Sequence, residues 1–297
     1  MIGIWIKAFR LRTLPLTLSS IITGTALATD HFDSVIFILA NLTTLFLQIL
    51  SNLANDYGDA EKGTDNENRV GPERAIQSGA ISKSQMKTAI IIFVILSFSF
   101  GVSLVAYSMR DSHIGYTLSL IVTGVLCIVA AIKYTAGKKA YGYRGLGDLF
   151  VFIFFGLVGV LGSEFLYTAS FELSSLLPAM TIGLFSAAVL NLNNMRDWEN
   201  DKASEKNTLV VKVGLPRAKK YHFTILIIGI TSSITYALQL EFRLVELTFV
   251  LAFIPIVLHL KRVAEIEENP TDFDPELKKV ALSTFLFSLL FLLSAIV

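Results

Sequence analysis

At 297 residues, 53% hydrophobic and 16% charged, with a mean hydropathy of +0.62, the chain carries too few charges for an ordinary soluble domain, where about a quarter of residues are charged. Its formal net charge of +1 gives no reason to expect a nucleic-acid partner. A single cysteine, Cys127, excludes an internal disulfide and reads as a small packing residue.

The pattern predicts an all-α integral membrane protein, a bundle of nine transmembrane helices forming one domain over residues 1–297. The apolar stretches are 13–29, 35–52, 88–109, 114–132, 149–167, 176–192, 223–240, 244–260 and 280–297, each close to the ~20 residues that cross a hydrocarbon core of about 30 Å. No small-residue cleavage site follows the first stretch, so no removable signal peptide is expected. The histidines His31, His113, His222 and His259 are scattered without ligand spacing and are expected at the membrane interface rather than in a metal site.

Placing the N-terminus inside puts 23 of the 25 basic residues in inner segments and leaves only Arg110 and Arg243 outside. The positive-inside rule then makes the N-terminus cytoplasmic and the C-terminus external, and the partition holds only for an even number of crossings between successive inner loops. The two long inner loops resemble each other: "NLANDYGDAEKG" and "NLNNMRDWENDK" each end a helix in Asn and Asp ahead of a basic segment, which suggests a weak internal repeat over residues 35–132 and 176–260.

In the first loop Asn52, Asn55, Asp56 and Asp59 stand at i, i+3, i+4 and i+7, one face of a helix if the second span continues past the membrane. In the second, Asn194, Asp197 and Asp201 stand at i, i+3 and i+7, with Asn191 one turn earlier. Stripes of carboxylate and amide oxygens suit Mg²⁺, which prefers such ligands together with water and substrate phosphate. Four aspartates would repel one another and a diphosphate unless divalent cations and basic side chains intervened. The basic candidates are Arg10, Arg12, Arg74, Lys133, Lys138, Arg144, Lys202 and Lys206. Asp65 reads as a ligand, a proton acceptor or a plain loop acid, and Asp148 as a cap on the fifth span. Tyr134, where the fourth span leaves the membrane, presents a ring face to developing positive charge or serves as an interfacial belt aromatic.

These segments, with "RTLPL" at the first span and "YTAGKKAYGYRGLGD" after the fourth, resemble the UbiA family of intramembrane prenyltransferases over essentially the whole chain, and within it the branch that prenylates 1,4-dihydroxy-2-naphthoate. The resemblance implies a nine-helix bundle in the bacterial inner membrane, with two Asp-rich motifs that bind Mg²⁺ and a polyprenyl diphosphate over a central cavity. It places the first motif on Asn55, Asp56 and Asp59 and the second on Asn194, Asp197 and Asp201. The family's inner-loop Tyr and Lys fall on Tyr134 and Lys138, and a last Asp of the first motif is replaced by Gly63, with Asp65 the nearest substitute. It implies loss of CO₂ from the naphthoate as the prenyl group is added, giving a demethylmenaquinone.

Two alternatives are open to the sequence. One is another aromatic acceptor, such as 4-hydroxybenzoate, homogentisate or haem. The other is a divalent-cation transporter, which predicts carboxylates near mid-span, whereas Glu164 and Glu246 are placed nearer the outer face.

Overall fold

Long apolar runs interrupted by turn residues fold here into helices alone; among the described residues there is no strand. The computed structural model describes residues 2–66, 70–170, 172–267 and 269–297, apart from the Arg12 side chain. The helices are α1 (Ile2–Phe9), α2 (Leu14–Ala26), α3 (Ser34–Lys62), α4 (Lys83–Ser108), α5 (Ile114–Lys133) and α6 (Gly147–Thr168), followed by α7 (Leu173–Arg196). Two short helices, α8 (Trp198–Ala203) and α9 (Leu209–Val213), precede α10 (Leu215–Gln239), α11 (Leu244–Glu265) and α12 (Pro270–Ile296).

Eight helices, α3 to α7 and α10 to α12, are long and apolar enough to cross a membrane, so the chain is a multi-pass membrane protein. They cover eight of the nine expected spans. The ninth, at residues 13–29, is α2, whose thirteen residues rise roughly 20 Å. Ten of them are buried, and the helix packs against α3, α6, α7 and α12. At the other extreme only Ala130 of α5 is buried, and Leu118, Val122, Leu126 and Val129 face outward, as lipid requires.

Small residues let the central helices close on one another. A Cβ at Gly156 would lie 2.6 Å from the Ala179 carbonyl oxygen and 2.8 Å from the Gly183 Cα, so α6 and α7 touch backbone to backbone. The contact falls in a stretch of α6, Phe152–Leu161, that is wound with wide π-type turns, a geometry that recurs at functional sites. Away from it, Phe185, Phe249, Phe253, Phe287 and Phe291 interlock α7, α11 and α12, with several edge-to-face pairs.

His31 and His113 are exposed, whereas the other two lie in the interior rather than at a surface. His222 and His259 are wholly buried; their Nε2 atoms lie 2.7 Å apart, and His259 Nδ1 lies 2.6 Å from Glu276 Oε2. Residues 37 positions apart meet because α10 and α11 are packed neighbours. Lys279 donates to the other Glu276 oxygen at 2.7 Å, which completes a polar brace across three helices.

Candidate active site

The second span does continue past its apolar stretch: α3 runs to Lys62 and stops at Gly63, whose φ of +71° is the left-handed conformation that ends helices. Asn52, Asp56 and Asp59 are buried on it and Asn55 is half-buried. The loop after α5 docks onto this helix at Gly58, where a Cβ would lie 2.6 Å from Thr135 Oγ1. Thr135 donates to the Ala54 carbonyl at 2.9 Å, and Lys62 donates to the Thr135 carbonyl at 2.7 Å. That clamp fixes Tyr134 beside the first stripe.

The second stripe bends. α7 ends at Arg196 and α8 begins at Trp198, yet Asp197 N–H donates to the Asn193 carbonyl and Asp201 N–H to the Asp197 carbonyl, so the helical spacing survives the junction. Asn194, Asp197 and Asp201 are buried.

The two stripes meet through Lys206. Its ammonium lies 3.7 Å from Asp59 Oδ2 and 3.6 Å from Asp201 Oδ1. Burial works against the lysine's charge, but the carboxylates of Asp59 and Asp201 outweigh it and hold the group above its ordinary value. Burial pushes the Asp201 carboxyl up to about 6, with Lys206 opposing the rise. Tyr143 donates to Asp59 Oδ1 at 2.7 Å, and its hydroxyl lies 2.5 Å from that of Thr64. Burial and the nearby Asp59 raise the phenol and keep it protonated as a donor.

Other expected residues take distinct places. Asp56 Oδ2 accepts from the Ala75 N–H at 3.1 Å, and Arg74 stands 3.7 Å from Asp65. Both oxygens of Asp197 accept from Arg196, at 2.9 and 2.8 Å, and Arg196 reaches on to Asp274 of α12. Asn52 is turned away from the cluster: its amide donates to the Phe9 carbonyl and Thr13 hydroxyl, and its oxygen accepts from Gln48. Lys138, Arg144 and Lys202 are exposed and make no ion pair with the stripes. Arg10 holds a left-handed φ of 53°, a strained conformation for an arginine, and its charge acts on Asp59. The Arg12 side chain lies outside the described residues.

Three participants went unrecognised in the sequence. Tyr143 gave only an aromatic in a loop. Asn200, one turn beyond Asp197, is buried and donates to the Thr64 carbonyl at 2.9 Å, tying the two inner segments together. Arg196 gave only a positive-inside charge.

Among the described residues no three His, Cys, Asp or Glu side chains come together as a metal cage. Each inner segment nevertheless keeps buried oxygens that a hard cation could use: among the described residues, Asn55 Oδ1 and Asp56 Oδ1 of the first and Asn200 Oδ1 of the second have no hydrogen-bond partner. Such a donor set, short of a full shell, matches Mg²⁺ completed by phosphate and water.

Next to the cluster lies a cavity of about 370 Å³. It is lined by α3 from Ala40 to Asn55, roughly 22 Å of helix, with Tyr134 and Asn52 among its polar residues and Phe98, Val102 and Phe154 among its apolar ones. A polar head beside a long apolar slot accommodates an amphipathic substrate with a charged end.

The sequence profile of the UbiA prenyltransferase family matches residues 17–275. The chain belongs to the UbiA family. Among its relatives, 1,4-dihydroxy-2-naphthoate octaprenyltransferase of Haemophilus influenzae is 39% identical over 99% of this chain and 96% of its own length. The protein of the same name from Escherichia coli is 41% identical over 97% of this chain and 94% of its own length. A UbiA homolog from Archaeoglobus fulgidus bound to GPP and Mg²⁺ superposes with a TM-score of 0.64 at 14% identity, covering 97% of this chain and 99% of that one, and shows that the UbiA fold is shared.

Proposed function

We propose that this UbiA-family chain transfers a polyprenyl group from its diphosphate to 1,4-dihydroxy-2-naphthoate, with release of diphosphate and CO₂, to give a demethylmenaquinone in its reduced form. The observation that carries the reading is the pairing of the two acidic stripes through Lys206 beside a long apolar cavity. The near full-length identity to naphthoate octaprenyltransferases selects the acceptor. The nine-helix count, with α2 as the short central crossing, and a cytoplasmic N-terminus in the bacterial inner membrane belong to the same reading.

Asn55, Asp56 and Asp59 from one stripe and Asn194, Asp197 and Asp201 from the other would hold Mg²⁺. Bound there, the metal supplies neutralising charge to the diphosphate, which makes it a better leaving group. Lys206, Arg74 and Arg10 add fixed positive charge around the same head group. The prenyl tail lies in the cavity, where Phe98, Val102 and Phe154 keep water from the allylic carbon as its C–O bond breaks. Tyr134 borders that space with its ring, and burial keeps its hydroxyl un-ionised. The electron-rich naphthoate ring, held against the cation, forms the new C–C bond, the carboxylate leaves as CO₂, and proximity replaces a strong base.

Asp56→Ala and Asp197→Ala, assayed in membranes with excess Mg²⁺, test the site. Each is expected to lower turnover at least about hundredfold, the scale of losing fixed transition-state electrostatics. Near-normal turnover in both would remove the two-stripe site.

A further inference from the structure

Asn52 lies on the first acidic stripe, yet what it holds is the turn that carries Arg10. The first helix, α1, ends at Phe9, and the next residue, Arg10, adopts φ 53° and ψ 57°. A left-handed residue commonly ends a helix, but the place usually goes to glycine, because a Cβ is strained there. An arginine in that conformation persists only where its surroundings over-determine it. Two things then need identifying: a restraint on the backbone and a use for the side chain.

The restraint is a chain of hydrogen bonds from α3. The Asn52 amide donates to the Phe9 carbonyl at 2.9 Å, an acceptor that the end of α1 leaves without a helical partner, and to the Thr13 hydroxyl at 3.2 Å. Thr13 in turn donates to the Arg10 carbonyl at 2.9 Å, so the peptides on both sides of the Arg10 Cα are held. Gln48 donates to the Thr13 hydroxyl and to Asn52 Oδ1, each at 3.3 Å, and accepts from the Thr17 hydroxyl at 3.0 Å, which fixes the way the Asn52 amide points. Ala8 packs in an apolar cluster with Ile49 and Leu53, but such contacts are non-directional and hold the body of α1, not the turn after it.

The use follows from the same helix. Asn52 and Asp59 are seven residues apart on one face of α3, roughly 10 Å along its axis, so a turn fastened at Asn52 opens toward the Asp59 end of the site. The Arg10 charge acts on Asp59. We infer that Asn52 is a positioning residue: by fastening the 9–13 turn to α3, it keeps Arg10 aimed at the diphosphate site. The inference rests on the prenyl-transfer reading above, in which a diphosphate is received there. Without the Asn52 tie, the strained backbone relaxes to the right-handed region and carries the guanidinium away. Lys206 and Arg74 sit on other segments and stay in place.

The test measures binding of a non-reactive polyprenyl thiodiphosphate with Mg²⁺, the KM of each substrate and the melting temperature, for wild type, Arg10→Gly, Asn52→Leu and the double variant. Glycine suits a φ of 53°, so Arg10→Gly should melt no lower than wild type. It should nevertheless bind the thiodiphosphate roughly tenfold or more weakly, the worth of a hydrogen bond to a charged group. Asn52→Leu fills similar space without the donor and should weaken binding by a comparable factor, raising KM for the prenyl diphosphate and not for the naphthoate. In the Arg10→Gly background Asn52→Leu should cause no further loss of affinity, because its effect passes through Arg10. If Arg10→Gly binds as tightly as wild type, the inference fails, a result that no folding defect can produce. It also fails if Asn52→Leu weakens binding by the same factor in both backgrounds, as a merely structural role would. A wild type that binds no thiodiphosphate would instead sink the prenyl-transfer reading itself.

Discussion

Lys206 reaches from the second inner segment to place its ammonium 3.7 Å from the Asp59 carboxylate of the first. Asp59 and Asp201 share this one cation, with Asp201 3.6 Å from it on the other side. Two helix ends 142 positions apart in the chain are thereby joined at the point where a diphosphate would be received.

Lys206→Ala should therefore act on stability as well as on turnover. Removing one partner of a buried charge cluster costs about 3 to 5 kcal/mol, so the detergent-solubilised variant should melt several degrees lower by a scan without Mg²⁺. Because a bound divalent cation stabilises only the folded state, excess Mg²⁺ should recover much of that loss. Prenyl transfer should stay reduced at saturating Mg²⁺. A melting temperature equal to wild type would show that the bridge carries no energy.

Metal binding should depend on pH through Asp201. Its carboxyl is raised from the usual range to about 6 by burial, so it holds a proton that Mg²⁺ must displace in mild acid. Mg²⁺ affinity, followed by isothermal titration, should fall below pH 6 by up to about tenfold per unit for one released proton. For the metal-free protein the sign is opposite. The raised value means that this group's contribution to stability is present below the unfolded carboxyl's pKa and is lost as pH rises through about 6.

Substitution at the α6 to α7 contact should be felt in both packing and rate. Gly156→Ala puts a methyl 2.6 Å from a backbone oxygen that cannot rotate away, and overpacking of this kind costs about 1 to 3 kcal/mol. The same helix carries the cavity wall at Phe154 and Phe155, so turnover should drop with the melting temperature. An unaffected melting curve would contradict the backbone contact.

The brace of His222, His259 and Glu276 is expected to behave differently. Glu276→Gln or His259→Ala disrupts a buried polar chain and should lower stability by roughly 1 to 3 kcal/mol. Turnover per folded molecule should be unchanged, because none of the three residues borders the cavity. A selective loss of kcat at full stability would assign the brace a catalytic part.

The spans and the acidic stripes were legible because they rest on local spacing. Asn55, Asp56 and Asp59 share a helix face at whatever angle that helix packs, and the continuation of α3 to Lys62 follows from the absence of any breaker before Gly63. What stayed hidden depends on which helices become neighbours. No local pattern sets His222 against His259, turns the Asn52 amide to Phe9, or gives Arg196 both oxygens of Asp197 and a grip on Asp274. In the sequence Lys206 is one of several equivalent basic candidates, and only the fold separates it from exposed Lys138 and Lys202. Tyr143 and Asn200 carry no local signal, because each is defined by a partner more than 80 positions away.

The most direct test is the product made by purified protein with Mg²⁺, one polyprenyl diphosphate and an equal mixture of 1,4-dihydroxy-2-naphthoate and 4-hydroxybenzoate, read by mass spectrometry. The account predicts a single prenylated naphthoquinol lacking the acceptor's CO₂, formed together with free diphosphate. Prenylated 4-hydroxybenzoate in its place, or diphosphate release with no prenylated naphthalene, would contradict it.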